Sequence, residues 1–101
     1  MKIILNKAQL NFAIPYFLQR AGYKYIVDRH TGKESFVRVI GTSGFPRWHL
    51  YLDEDSDKIV FNLHLDQKRP IYRGQVAHSG EYDNDLIKDE LERLQTLLKS
   101  F

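Results

Sequence analysis

The sequence predicts an α+β fold: one antiparallel sheet of four to five strands with two helices packed on one face. Three observations carry this expectation. Short segments of alternating apolar and polar residues recur between residues 23 and 66, with turn residues between them. Apolar residues repeat at helical spacing around residues 10–21 and over 84–100. Within 101 residues, 43% are hydrophobic and 13% aromatic, enough apolar surface for one core in a chain of single-domain size. The expected order is strand, helix, four strands, helix, as a single domain over residues 1–101.

Residues 1–5 read as a short strand. Asn6-Lys7-Ala8-Gln9 has the form of a capping box, Asn6 accepting from the first turn and Gln9 reaching back. Leu10, Ile14, Phe17, Leu18 and Ala21 then keep helical spacing, and Gly22 supplies a C-terminal stop. Pro15 falls inside this run, which predicts a kink there or a helix that begins later. Residues 23–29 and 34–41 read as strands, with Tyr23, Tyr25 and Val27 alternating in the first and His30-Thr31-Gly32-Lys33 turning between them. Residues 42–46 are a loop. Residues 47–53 form a strand with Trp48, Leu50 and Leu52 on one face. After an acidic turn from Asp53 to Lys58, residues 59–66 form another, with Ile59, Phe61, Leu63 and Leu65 inward. Trp48, Phe36, Phe45 and Phe61 could form a stacking platform, but Trp48 and Phe61 fall on the core face of their strands, which favours the core. Residues 67–82 lack periodicity and carry Pro70, Gly74 and Gly80; loops of this length are usually functional or disordered. Asp83 is placed to cap a last helix over 84–100, with Ile87, Leu91, Leu94, Leu98 and Phe101 along one stripe.

Composition bounds the function. The chain has no cysteine, which excludes disulfide frameworks, thiolate metal sites and cysteine nucleophiles and fits a reducing compartment. No apolar run approaches the roughly 18 residues of a membrane span, and Ile3-Ile4-Leu5 is too short for a signal-peptide core. A cytoplasmic protein with no membrane partner is expected. Net charge is +2, but unevenly spread: residues 1–52 carry eight Lys or Arg against two acids, residues 53–101 seven against eleven. Lys68, Arg69 and Arg73 form a basic island in an acid-free stretch, 67–80. Such asymmetry suits a nucleic-acid face.

The hairpin across the acidic turn carries the chemistry. Its two apolar rows must share one face, which leaves two natural registers. In one His49 lies opposite His64; in the other His49 opposes Asn62 and His64 is its diagonal neighbour. Opposed Cβ atoms lie about 5 Å apart and diagonal ones about 7–8 Å. Either register gathers Arg47, His49, Tyr51, Asn62, His64 and Asp66 on the polar face, and a one-residue slip would put the apolar rows in water. Two neighbouring imidazoles divide general-base and general-acid work near neutral pH. Attack of a ribose 2′-hydroxyl on its own phosphate needs that pair, together with cations for the anionic transition state. The expected catalytic residues are His49, His64 and Tyr51. The expected substrate contacts are Arg47, Lys68, Arg69 and Arg73, RNA is the expected partner, and no cofactor is expected.

Helix, three antiparallel strands and helix also resembles the double-stranded-RNA-binding-domain arrangement that HicA-type toxins use as small mRNA interferases. Phe17-Leu18-Gln19-Arg20-Ala21-Gly22-Tyr23 is similar to the end of their first helix, where an alanine–glycine–aromatic turn enters a strand. His49-Leu50-Tyr51 is similar to the strand with their catalytic histidine, and Asn62-Leu63-His64 to the strand ending in a second histidine. Leu86 to Leu98 would be the closing helix. Arg47-Trp48 stands where the family has glycine–serine, and this chain has an additional N-terminal strand and hairpin. The resemblance implies metal-independent endoribonuclease activity, His49 as the catalytic residue, and a toxin–antitoxin setting with a protein partner.

Two other readings stay open. His64, Asp66, His78 and Glu81, with His49 in reach, could hold zinc or another divalent ion. Alternatively, the acidic last helix or an exposed sheet edge could dock a protein partner without catalysis. The carboxylates of Asp53-Glu54-Asp55-Ser56-Asp57 lack the glycine and terminal glutamate of a calcium loop and read as a solvated hairpin end.

Overall fold

The computed structural model describes residues 1–67 and 84–101. Strand β1 (Lys2–Asn6) is followed by a 3-10 turn (Lys7–Gln9), helix α1 (Ile14–Arg20), strands β2 (Lys24–Val27), β3 (Glu34–Val39), β4 (Arg47–Glu54) and β5 (Lys58–Asp66), and helix α2 (Asn84–Ser100). The strands form one antiparallel sheet in the order β1-β5-β4-β3-β2. Fold class and element order are those the periodicities predict. The segment 68–83, including the predicted cap Asp83, lies outside the described residues.

Alternation sorts each strand onto two faces. Ile3, Phe36, Trp48, Leu50, Ile59, Phe61, Leu63 and Leu65 are buried with Ile14, Phe17 and Leu18 of α1 and Ile87 and Leu94 of α2 in one core. Trp48 and Phe61 are core residues, as their strand positions predict, and Phe36 joins them there. The chain end closes one side of this core: the Phe101 ring meets Phe12 at 4.9 Å and Phe17 at 5.1 Å, both edge-on.

Helix α1 begins later than its apolar spacing implies, and Pro15 is the reason. Proline lacks the N–H an interior position donates, but in the first turn that donor would be unpaired anyway, and Pro15 sits there. Asn6 caps only the 3-10 turn, its Oδ1 accepting from the Ala8 N–H at 3.1 Å. The helix ends as predicted at Gly22, whose φ of +100° suits a residue without Cβ. The Tyr23 N–H donates to the Leu18 carbonyl at 2.9 Å and the Gly22 N–H to the Gln19 carbonyl at 3.1 Å, the paired bonds of a Schellman terminus. This terminus turns the chain directly into β2.

One buried charge fastens α2 to the rest. Glu90, 4% exposed, sits on the helix face that packs inward. Its carboxylate accepts from the Tyr23 hydroxyl at 2.5 Å and from Arg93 Nε and Nη2 at 2.8 and 2.9 Å, and the Arg38 guanidinium lies at 3.6 Å. Arg93 Nη2 also donates to the Ala21 carbonyl at 2.9 Å, where α1 ends. Burial, with the adjacent Glu90 charge, pushes the Tyr23 phenol far above its ordinary range, so it remains a donor. The helical stripe of apolar residues gives no hint of this network, because Glu90 reads as one acid among several on an acidic helix.

Tyr23→Phe removes one donor and leaves the buried carboxylate a partner short. It should destabilise the protein by about 1–3 kcal/mol, measured by urea unfolding. A change within error would show that Tyr23 contributes only its ring.

Candidate functional site

Strands β4 and β5 pair with Arg47 opposite Asp66, His49 opposite His64 and Tyr51 opposite Asn62. This is the first of the two registers the sequence allowed, and it collects the six predicted residues on the face away from the helices. Strand β3 extends the same face, with Val37 opposite His49. Ser35, two residues earlier, is thus a diagonal neighbour of His49, as Asp66 is on the other side.

The polar face is more enclosed here than simple alternation suggests. Ser35 and Val37 are 4% and 7% exposed, and the His49 side chain only 12%. The Tyr51 ring stacks on the His49 ring at 4.4 Å and 26° and meets the His64 ring edge-on at 5.9 Å. The Lys33 ammonium, from the β2–β3 turn, sits 4.5 Å from the Tyr51 ring centre. That turn is held by Asp28, whose Oδ1 accepts from the His30 and Thr31 N–H groups at 2.8 and 3.1 Å. Between the turn and β4 lies a cavity of about 240 Å³, with Ser35, His49, Tyr51, Arg47 and Lys33 among its lining.

His49 is held at both ring nitrogens. Nδ1 lies 2.8 Å from Asp66 Oδ2 and Nε2 lies 2.8 Å from Ser35 Oγ. The same carboxylate oxygen accepts from Arg47 Nε at 3.2 Å. Burial works to raise the Asp66 carboxyl, but the hydrogen bonds and charges of His49 and Arg47 outweigh it, and its pKa is lowered. An ionised carboxylate only accepts, so Nδ1 carries the proton. In the neutral ring Nε2 then presents a lone pair to the Ser35 hydroxyl. The result is a hydroxyl–imidazole–carboxylate chain running diagonally across β3, β4 and β5. Burial, then the Asp66 charge, raise the Tyr51 phenol, which keeps it protonated beside the two imidazoles.

The structure brings His49, His64, Tyr51 and Arg47 together. Lys68, Arg69 and Arg73, expected beside them, lie outside the described residues, as do His78 and Glu81 of the alternative metal set. Among the described residues no group of three or more His, Asp or Glu could hold a metal ion. Phe45 is half-buried, its ring 4.6 Å from the Arg47 guanidinium carbon. The acidic turn is a capped hairpin end: Asp55 Oδ1 accepts from the Asp57 and Lys58 N–H groups at 3.0 and 2.8 Å. Among the described residues no helix is long and apolar enough to cross a membrane. Sequence reasoning missed Ser35 and Lys33, and saw in Asp66 a metal ligand instead of a partner for His49. Matching the Phe36 and Leu50 rows across the 42–46 loop would have found Ser35.

A carboxylate depressed by its partners stabilises the fold above its unfolded pKa, about 3.9, and that contribution is lost as pH falls through the lower folded value. The wild type should therefore exceed Asp66→Asn in stability by about 1–3 kcal/mol near pH 5. The gap should close on acidification toward pH ~2. Chemical unfolding of both proteins along that series measures it, and a gap that stays constant would contradict the pairing.

The chain matches no protein-family model, no curated protein and no solved structure.

Proposed function

We propose that the open sheet face binds RNA and that His49 serves there as the acid–base group of a metal-independent endoribonuclease. The observation that supports this most strongly is the anchored imidazole: Nδ1–H fixed on Asp66, Nε2 aimed at a hydroxyl, and His64 directly opposite. A general base must lie within about 2.6–3.2 Å of the proton it takes. Nε2 already meets the Ser35 hydroxyl at 2.8 Å, within that range, and a ribose 2′-hydroxyl would take over this bond.

In the proposed reaction His49 Nε2 removes the 2′-hydroxyl proton as O2′ bonds to phosphorus. The bond from phosphorus to O5′ breaks, and His64, as imidazolium, gives O5′ a proton. The products are a 2′,3′-cyclic phosphate and a 5′-hydroxyl end. Arg47 and Lys33 meet the charge growing on the phosphate oxygens, in a partly enclosed site where such charge stabilisation is strong. The basic first half of the chain supplies most of this face, and Lys2 on β1, opposite Asn62, extends its positive charge. The Tyr51 ring offers a surface against which a base can stack.

Wild-type protein incubated with mixed single-stranded RNA should cleave it in the presence of chelator. His49→Ala and His64→Ala should each lose about 100-fold or more, and RNA affinity should fall steeply with added salt. RNA that stays intact with the wild-type protein would remove the enzymatic claim, and binding indifferent to salt would remove the RNA face.

A further inference from the structure

The bond between Ser35 and His49 joins a hydroxyl to an anchored imidazole. Serine hydroxyl, imidazole and carboxylate follow one another at 2.8 and 2.8 Å, each inside the reach of proton transfer. The order of atoms matters: Oγ meets Nε2, and the carboxylate holds Nδ1. That arrangement turns a hydroxyl into a nucleophile, recognised by geometry and roles rather than by sequence order. Ser35, 4% exposed, also lines the 240 Å³ cavity together with His49, Tyr51, Arg47 and Lys33, so a small molecule held there lies beside it.

We propose that Ser35 is a nucleophile toward short-chain carboxylic esters, a second chemistry of this site that does not depend on RNA cleavage. Ser35 Oγ bonds to the ester carbonyl carbon while its proton passes to His49 Nε2. Collapse of the tetrahedral intermediate breaks the bond to the leaving oxygen, which takes that proton. Water then attacks the acyl-Ser35 ester, giving its proton to Nε2; as the bond to Oγ breaks, the proton returns to Ser35 and the carboxylic acid leaves. Asp66 stays ionised throughout and stabilises the imidazolium. The Arg47 guanidinium and the Lys33 ammonium line the same cavity and supply positive charge for the oxyanion. The cavity is smaller than the roughly 300–1,000 Å³ of drug-sized sites, which restricts the acyl chain to a few carbons.

The test is covalent labelling of the full chain, needing no RNA. Protein is exposed to 4-nitrophenyl acetate, 4-nitrophenyl octanoate and a fluorophosphonate, then analysed by intact mass and peptide mapping. The expected result is one adduct on Ser35 from acetate and from the fluorophosphonate, with octanoate at least 10-fold slower. His49→Ala should slow the adduct about 100-fold or more, and Ser35→Ala should abolish it with unchanged circular dichroism. Ser35→Cys gives a second route: in a chain without other thiols, iodoacetamide should alkylate it faster with His49 present than with His49→Ala. The proposal is overturned if wild-type Ser35 stays unlabelled, if labelling of Ser35 ignores His49, or if the thiol alkylates equally fast without the imidazole. Labelled Ser35 with intact RNA would leave this proposal standing and overturn only the ribonuclease.

Discussion

The pairing of β4 with β5 is the constraint on which the rest depends. Side chains alternate along a strand with a period of two, so a shift of one residue would move a whole row to the other face. Here the rows are unequal: Trp48, Leu50, Phe61, Leu63 and Leu65 are all buried, each at 4% exposure or less. Fully burying one such side chain stabilises by about 1.5–3 kcal/mol. A one-residue slip of β5 alone would expose Phe61, Leu63 and Leu65 together, a loss of about 5–9 kcal/mol, comparable with the whole stability of a typical domain, about 5–15 kcal/mol. The apolar row thus fixes the polar row, and Arg47, His49 and Tyr51 face Asp66, His64 and Asn62 as a consequence of core packing.

The same logic carries one strand further. Phe36 pairs with Leu50 in the core, which brings Val37 opposite His49 and Ser35 to its diagonal. A single imidazole then bridges both neighbouring strands. Nothing about this bridge is needed to form the sheet, since the backbone ladder and the core already do so. Glu90 is the contrast: its carboxylate accepts from Tyr23, between α1 and β2, and from Arg93 of α2, and it pairs with Arg38 of β3, while Arg93 donates to the Ala21 carbonyl where α1 ends, so it is part of what holds the helices in place. Among the described residues no buried side-chain nitrogen or oxygen lacks a partner. Both polar clusters are therefore satisfied, one as a fastening and one as an arrangement beside a cavity.

Much of this was legible in the sequence because period and burial are local properties. The strand and helix alternation, the Gly22 terminus and the shared face of His49 and His64 all follow from residues near one another along the chain, while the choice between the two registers does not. What was not legible joins distant positions. Glu90 and Tyr23 are 67 residues apart, and an acid on an acidic helix carries no mark of burial. Ser35 looked like an ordinary polar strand residue until the β3–β4 register gave it a neighbour. Asp66 was visible on the right face, but its contact with His49 depends on side-chain reach, which alternation does not give. Of the two outcomes that Pro15 allowed, a kink or a later start, the apolar spacing from Leu10 could not choose, and α1 takes the later start.

His49 is fixed between an ionised carboxylate and a serine hydroxyl. Long-range proton–nitrogen NMR correlation of the imidazole rings, taken with the rings neutral, reads this directly. His49 should exist as a single tautomer with its proton on Nδ1 and an unprotonated Nε2, close enough to His64 for cross-strand contacts between the two residues. A ring protonated on Nε2, or one averaging between tautomers as in a solvated histidine, would contradict it.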